Sequence, residues 1–146
     1  MAKGGLIYMD KREILDFIVR NPVAYMATVD GNKPHVRAMR TYWADEDGIL
    51  FVMESVKDVY KELLHNPETE PCYYARGVQI RVSGRMEVLT DVALKQEVVA
   101  NRPIMQPGVA KEGLDYVGVL ILRHGKANVL KVPLPEPGAP KDYIDL

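Results

Sequence analysis

Two tight turns lie so close together that they leave little freedom for what surrounds them. Asp30-Gly31-Asn32 and Asp45-Glu46-Asp47-Gly48 separate three apolar segments at residues 23–29, 35–43 and 49–53. Asp-Gly between apolar runs is a strong hairpin signal, because glycine takes the positive φ that the turn needs. Links this short force antiparallel neighbours, since a parallel crossover requires a dozen or more residues. The middle of the chain's first half is therefore expected to be a three-stranded antiparallel meander.

Around it the period changes. Asp10 followed by Glu13 is a capping-box pattern, and Ile14, Leu15, Phe17 and Ile18 form a helical stripe that ends at Asn21-Pro22. Residues 55–64 read as a second helix, with Ser55 and Asp58 matching a cap and Asn66-Pro67 as its stop. Residues 70–76 read as a strand placed at an edge by Pro71. Residues 78–88 alternate, with Val78, Ile80, Val82, Met86 and Val88 on one face and Gln79, Arg81, Ser83, Arg85 and Glu87 on the other. Asp91 caps a third helix reaching about Ala100. Residues 116–122 and 126–132 are closing strands. Six or seven mostly antiparallel strands with accessory helices and no βαβ alternation favour a closed or nearly closed barrel, which removes exposed edges.

At 146 residues, 1–146 is expected to be one domain, with a Pro-rich tail at 133–146. That tail has four prolines within residues 133–140 and is expected to be extended or irregular. A net charge of −1 argues against generic nucleic-acid binding and gives no attraction to anionic membranes. Residues 1–10 lack the apolar core of a signal peptide, and the longest apolar run, 116–122, is too short to span a bilayer. A cytoplasmic protein is expected. The single cysteine, Cys72, fits a reducing compartment and reads as an inert structural thiol.

Few residues suggest chemistry. Along the second strand His35, Arg37, Met39, Thr41 and Trp43 share one face, and Val36, Ala38, Arg40 and Tyr42 the other. Two arginines on a central strand suggest an anion site. The second helix adds a positive dipole end and two lysines, Lys57 and Lys61, on one face. A solvated face offset by Asp58 and Glu62 explains those lysines equally well. Gln79 is an ordinary outward residue unless a flavin lies nearby. His35, His65 and His124 are too scattered for a metal-spacing motif, so no metal site is expected. Gly4-Gly5 and Gly108 read as flexible positions. No Walker loop or Rossmann fingerprint occurs.

The order of segments goes further. Residues 21–31 (NPVAYMATVDG), 34–39 (PHVRAM), 48–51 (GILF), 57–63 (KDVYKEL) with Asn66-Pro67, and 79–84 (QIRVSG) resemble, in register, the pyridoxamine 5′-phosphate oxidase-like family over roughly residues 10–132. The resemblance implies a mainly β (α+β), six- to seven-stranded antiparallel split β-barrel with accessory helices. It also implies a homodimer binding FMN between subunits. By it, Arg37 helps hold the flavin phosphate, and Met39 and Arg40 lie along the ring. Val52 and Met53 line the same pocket, Lys57 and Lys61 contact the phosphate, and Gln79 reaches the ring. The true oxidase has a substrate-contacting lysine where this chain has Tyr42, and a basic C-terminal segment that is missing here. Pyridoxamine phosphate oxidation is therefore not expected, and shorter nitroimidazole-reductase-like members are the nearer match. The implied function is an FMN-dependent oxidoreductase acting on a small aromatic or nitroaromatic substrate, with NAD(P)H as a candidate electron donor. A flavin carrier or sensor without turnover, and an F420- or haem-binding barrel, stay open at this point.

Overall fold

The computed structural model describes residues 9–133 and 136–146. Gly4-Gly5 and part of the Pro-rich stretch lie outside the described residues. Helix α1 (Lys11–Arg20) starts with the expected capping box: Asp10 Oδ1 accepts from the Glu13 amide at 2.8 Å, and Glu13 Oε2 accepts from the Asp10 amide at 3.0 Å. Its apolar stripe buries Ile14, Leu15 and Ile18. The meander follows as expected: β1 (Val23–Asp30), β2 (Lys33–Asp45) and β3 (Gly48–Glu54) pair antiparallel in chain order. Then come α2 (Asp58–His65), β4 (Glu68–Ala75), β5 (Val78–Leu89) and α3 (Val92–Asn101), the last capped by Asp91 onto the Leu94 amide. A 3₁₀ turn (Pro103–Met105), α4 (Gln106–Glu112) and a second 3₁₀ turn (Leu114–Tyr116) lead into β6 (Val117–Leu122) and β7 (Lys126–Lys131), and the chain ends with β8 (Ile144–Asp145).

Six strands close in the order β4-β1-β2-β3-β6-β5, with β5 joined back to β4. β7 adds to β5, and β8 to β7. Seven strands match expected segments. The eighth is the two-residue β8, beyond the Pro-rich stretch. Helix α4 was unexpected because Pro107 and Gly108 disguise it. Proline is tolerated in a first turn, and Gly108 is needed because a Cβ there would lie 2.1 Å from the Tyr116 ring.

Four local expectations need correction. β4 is not an edge strand: it pairs with β1 on one side and β5 on the other. The chain accommodates Pro71 because the β4–β5 ladder lapses over Glu70 and Pro71 and resumes in the same register. Trp43 does not share a face with Thr41. The β2–β3 register shifts by one between them, which sends both Tyr42 and Trp43 to the outside of the barrel. Helix α2 begins at Asp58 with Lys57 as its N-cap, and Ser55 does not cap it. Val88 is exposed, although Ile80, Val82 and Met86 on its strand are buried as expected.

The core has two parts. Met26, Phe51, Met53, Tyr73, Ile80 and Leu120 fill the barrel together with Ile14 and Ile18 of α1 and Val59 and Leu63 of α2. Leu50, Val52, Val119 and Ile121 pack outside against Val98 and Met105. β3 and β6 are thus buried on both faces, which is why they read as continuous apolar runs. One polar contact crosses the interior: the Thr41 and Tyr73 hydroxyls lie 2.6 Å apart, both buried. Tyr73→Phe is expected to cost about 1–2 kcal/mol, because the Thr41 hydroxyl loses its partner. Urea unfolding checks it, and a loss below about 0.5 kcal/mol would show that Thr41 finds another acceptor.

The barrel is split along one seam. β1 and β2 pair over the whole stretch from Asp30↔Lys33 to Val23↔Arg40. The β2–β3 ladder, however, spans only Thr41↔Phe51 to Asp45↔Gly48, and beyond it Val52, Met53 and Glu54 pair only with β6. Residues 33–40 of β2 therefore present an edge not joined to β3, and α2, which packs on β1, reaches β2 through Glu62.

Candidate functional site

Cross-strand partners share a face, so the pairs Thr28↔His35, Met26↔Arg37 and Ala24↔Met39 place His35, Arg37 and Met39 toward the interior side of β2. Facing them, α2 turns Glu62 inward, where it is 8% exposed. The Arg37 Nη2 group donates to Glu62 Oε2 at 2.7 Å, and Nη1 donates to Thr28 Oγ1 at 2.5 Å and, more weakly, to the Met26 carbonyl at 3.4 Å. Thr28 Oγ1 donates to Glu62 Oε2 at 2.6 Å, and His35 Nδ1 lies 2.5 Å from Glu62 Oε1. Burial pushes the Glu62 carboxyl up. Hydrogen bonds from Thr28, His35 and Arg37 and the guanidinium charge outweigh it, so its pKa lies below the usual carboxylate value. A depressed folded-state pKa contributes stability above the unfolded value of 4.5 that is lost as pH falls through the folded one. Acid unfolding of the wild type should therefore steepen below about pH 4.5, and Glu62→Gln should flatten that limb in a pH series of thermal melts. An unchanged limb would show that the network carries none of the acid sensitivity.

Arg37 has five N–H donors. Three are engaged within the chain, and two are left for a ligand. Lys61 is exposed beside Glu62, in a recess with Asp30 and His35. Lys57 stands at the start of α2 with its Nζ 3.3 Å from Glu54. Arg37 and Met39 thus share the inner face of β2, while Lys61 stands in the recess beside His35 and Asp30, next to the β1–β2 turn. Val52 and Met53 line the other lip of the open seam but point apart, Val52 to the outer cluster and Met53 into the barrel.

Arg40 projects to the outside. There it meets groups that sequence reasoning did not single out, in a recess of about 330 Å³ formed with Val19, Pro22, Tyr42, Trp43, Asn101 and Arg102. The Arg102 guanidinium lies over the Tyr42 ring, 5.1 Å from its centroid, and Asn101 Nδ2 donates to the Tyr42 hydroxyl at 2.9 Å. The Trp43 indole Nε1 is buried without a partner. Neither Arg40 nor Arg102 has an ion-pair partner among the described residues. Burial lowers the Arg102 pKa, and repulsion from Arg40 lowers it further. Two unneutralised guanidinium groups, an orphan N–H donor and an aromatic wall suit an anion carried on a planar ring.

Gln79 is separate. Its strand lies opposite β2 in the closed six-strand order, three positions away by either route. It lines a different cavity, of about 370 Å³, with Arg81, Asn128 and Leu130 under the segment 136–144. Cys72 is half-buried, and burial raises its thiol pKa. Among the described residues, no helix is long and apolar enough to cross a membrane.

Sequence reasoning missed Glu62, Thr28, Arg102 and Trp43. Glu62 looked like one charge on a solvated helix face. Its helical spacing from Val59 and Leu63 was the available sign that it turns inward.

The sequence profile of the family described as pyridoxamine 5′-phosphate oxidase matches residues 10–112. Among curated proteins there is no match in sequence. Solved structures share the fold. A NimC/NimA family protein from Clostridium acetobutylicum is 20% identical with a TM-score of 0.73, over 92% of each chain. A pyridoxamine 5′-phosphate oxidase-related, FMN-binding protein from Nostoc punctiforme is 15% identical with a TM-score of 0.62, over 97% of this chain and 99% of its own. PhzG from Burkholderia lata, solved with tetrahydrophenazine-1-carboxylic acid, is 15% identical with a TM-score of 0.61, over 93% of this chain and 89% of its own.

Proposed function

Because this chain belongs to the pyridoxamine 5′-phosphate oxidase family, we propose that it binds FMN along the open seam of the barrel and acts as an oxidoreductase on a small anionic aromatic compound. The observation that carries the cofactor reading is the unjoined edge of β2 at residues 33–40, flanked by Arg37 and Lys61. The phosphate falls to Lys57, Lys61 and the two remaining N–H groups of Arg37. Met39 and the backbone of Arg40 on one lip and the backbone of Val52 and Met53 on the other lie against the ring. When bound, FMN supplies the hydride or electron chemistry. The chain's own part is to hold the ring and to position the substrate. Arg40 and Arg102 take the substrate's carboxylate or phosphate, and Tyr42 and Trp43 pack against its ring. The FMN-binding and aromatic-acid-bound structures with this fold support the reading.

A homodimer belongs to the same proposal. Val23, Tyr25, Val36 and Tyr74 are exposed on the outer face of β1, β2 and β4, with Tyr74 at 61% and Val36 at 69%. An apolar sheet face of this kind marks an interaction site, and a second copy is the occupant that could bring Gln79 to the seam of its neighbour. Sedimentation at micromolar concentration should give a dimer, and a monomer would remove Gln79 from the site.

The cofactor test is an absorption spectrum after incubation with FMN and desalting. Retained flavin bands are expected, and a featureless spectrum would sink the reading. Anaerobic mixing with NADH and NADPH then distinguishes turnover from storage. Arg102→Ala should raise KM for a carboxylated aromatic substrate by about tenfold, one lost charged contact, with flavin content unchanged. An unaltered KM would place the substrate elsewhere.

A further inference from the structure

At the end of the barrel, where the β1–β2 turn meets the second half of α2, a ring nitrogen of His35 and a carboxylate oxygen each of Asp30 and Glu62 lie within 4.8 Å of one another. These residues come from the last position of β1, from β2 and from α2. We propose that Asp30, His35 and Glu62 form a binding site for a divalent transition-metal cation of the Zn(II) or Mn(II) type.

Charge favours it. Asp30 and Asp58 have no ion-pair partner among the described residues, and both line the same recess. With Glu62 they make three carboxylates against the two cations Arg37 and Lys61. Glu62 divides its oxygens: Oε2 is occupied by Arg37 and Thr28, while Oε1 faces only His35. The Oε1–Nδ1 edge is held by a hydrogen bond at 2.5 Å, and a cation would take the place of the proton between them. Metal–ligand distances of about 2.0–2.1 Å put adjacent tetrahedral ligand atoms about 3.3 Å apart. The edge must then open by less than about 1 Å, and the partly exposed His35 ring is free to move that far.

The surroundings supply the rest of a metal site. The recess, about 570 Å³, is open to solvent and gives an entry path. On its wall, His65 Nδ1 donates to the Lys61 carbonyl at 2.9 Å, which leaves Nε2 with its lone pair for an incoming group. An imidazole held by a backbone carbonyl through its other nitrogen is the usual arrangement around metal-ligating histidines. Arg37 and Thr28 likewise orient Glu62 from behind. One nitrogen and two carboxylate oxygens suit Zn(II), Mn(II) or Fe(II) better than Ca(II), which prefers oxygen alone.

The test uses the full-length protein after chelator treatment and desalting, with Co(II) as the optical probe and Zn(II) in calorimetric titration. One cation per chain is expected, with the d–d absorption of Co(II) bound to nitrogen and oxygen. Asp30 is exposed, so Asp30→Asn should melt close to the wild type, whereas His35→Ala also removes a hydrogen bond to Glu62 and should melt somewhat lower; each should lower affinity at least tenfold. Flavin content, read separately, should not change in the Asp30→Asn protein. No saturable Co(II) or Zn(II) binding, or equal binding by the Asp30→Asn/His35→Ala double variant, would overturn the proposal. A second measurement does not depend on the variants. Zn(II) should raise the melting temperature of the wild type at ion concentrations well above Kd, and an unshifted melt under saturating Zn(II) would also count against it.

Discussion

Gly48→Ala should be among the most damaging single changes in this chain, lowering stability by about 3 kcal/mol or more. Two independent penalties meet at this position. Its φ is +144°, a region that residues with a Cβ hardly enter. A Cβ would also lie 2.6 Å from the Leu122 carbonyl oxygen and 3.0 Å from Ile121 Cγ1. The obstacle is backbone that is itself committed, since Leu122 pairs with Ile49 of β3 and with Met86 of β5. Relief at Gly48 would therefore pull on two ladders at once. Gly31 is the internal control. It also has positive φ, +58°, but nothing stands within 4 Å of an added Cβ. Gly31→Ala should cost only about 1–2 kcal/mol, the left-handed penalty alone. Urea titrations of the two variants decide the matter. A Gly48→Ala loss no larger than that of Gly31→Ala would mean that the turn re-forms around the new side chain.

Glu62→Ala is the second large effect expected, a loss of about 2–3 kcal/mol. Removing one partner of a fully buried pair costs more, about 3–5 kcal/mol, but His35 and Arg37 keep part of their surface in water. The carboxylate accepts three hydrogen bonds from Thr28, His35 and Arg37. Its loss leaves the buried Thr28 hydroxyl and a half-buried guanidinium without their main acceptor. Arg37→Ala in the Glu62→Ala background should therefore cost less than in the wild type, and a double-mutant cycle measures that coupling. Additive losses would show that the two side chains contribute separately. In the proposed flavin site, FMN affinity gives a second readout. A guanidinium released from Glu62 is free to turn toward a phosphate or away from it, so the sign of the change reports which orientation Glu62 enforces.

What could be read from the sequence was what local chemistry decides. Asp10 and Glu13 satisfy one another within a single turn, Asp91 caps α3, and the two acidic-glycine turns impose the meander. What escaped depends on distant partners. Pro71 argued for an edge, yet barrel closure buries β4 between β1 and β5, because only the ladder bonds near the proline need be given up. Strict alternation along β2 failed at Tyr42, where a one-residue shift reverses which side chains face out. That shift brings Trp43 beside Arg40 and Arg102. The pairing of Arg37 with Glu62 spans 25 residues. No local pattern distinguishes that glutamate from a solvated one except its place on the buried stripe of α2.

The seam between β2 and β3 has a kinetic signature. Amides of residues 41–45 sit in a strand held on the β3 side, whereas along residues 33–40 every second amide points away from β1 toward no strand. Deuterium uptake should therefore be two-speed along one continuous strand: alternating fast and slow positions up to Arg40, then a more uniformly protected stretch. Anything that settles into the seam and hydrogen-bonds that edge should erase the alternation. Residue-resolved exchange would then map where a bound molecule lies, even when its chemistry is silent.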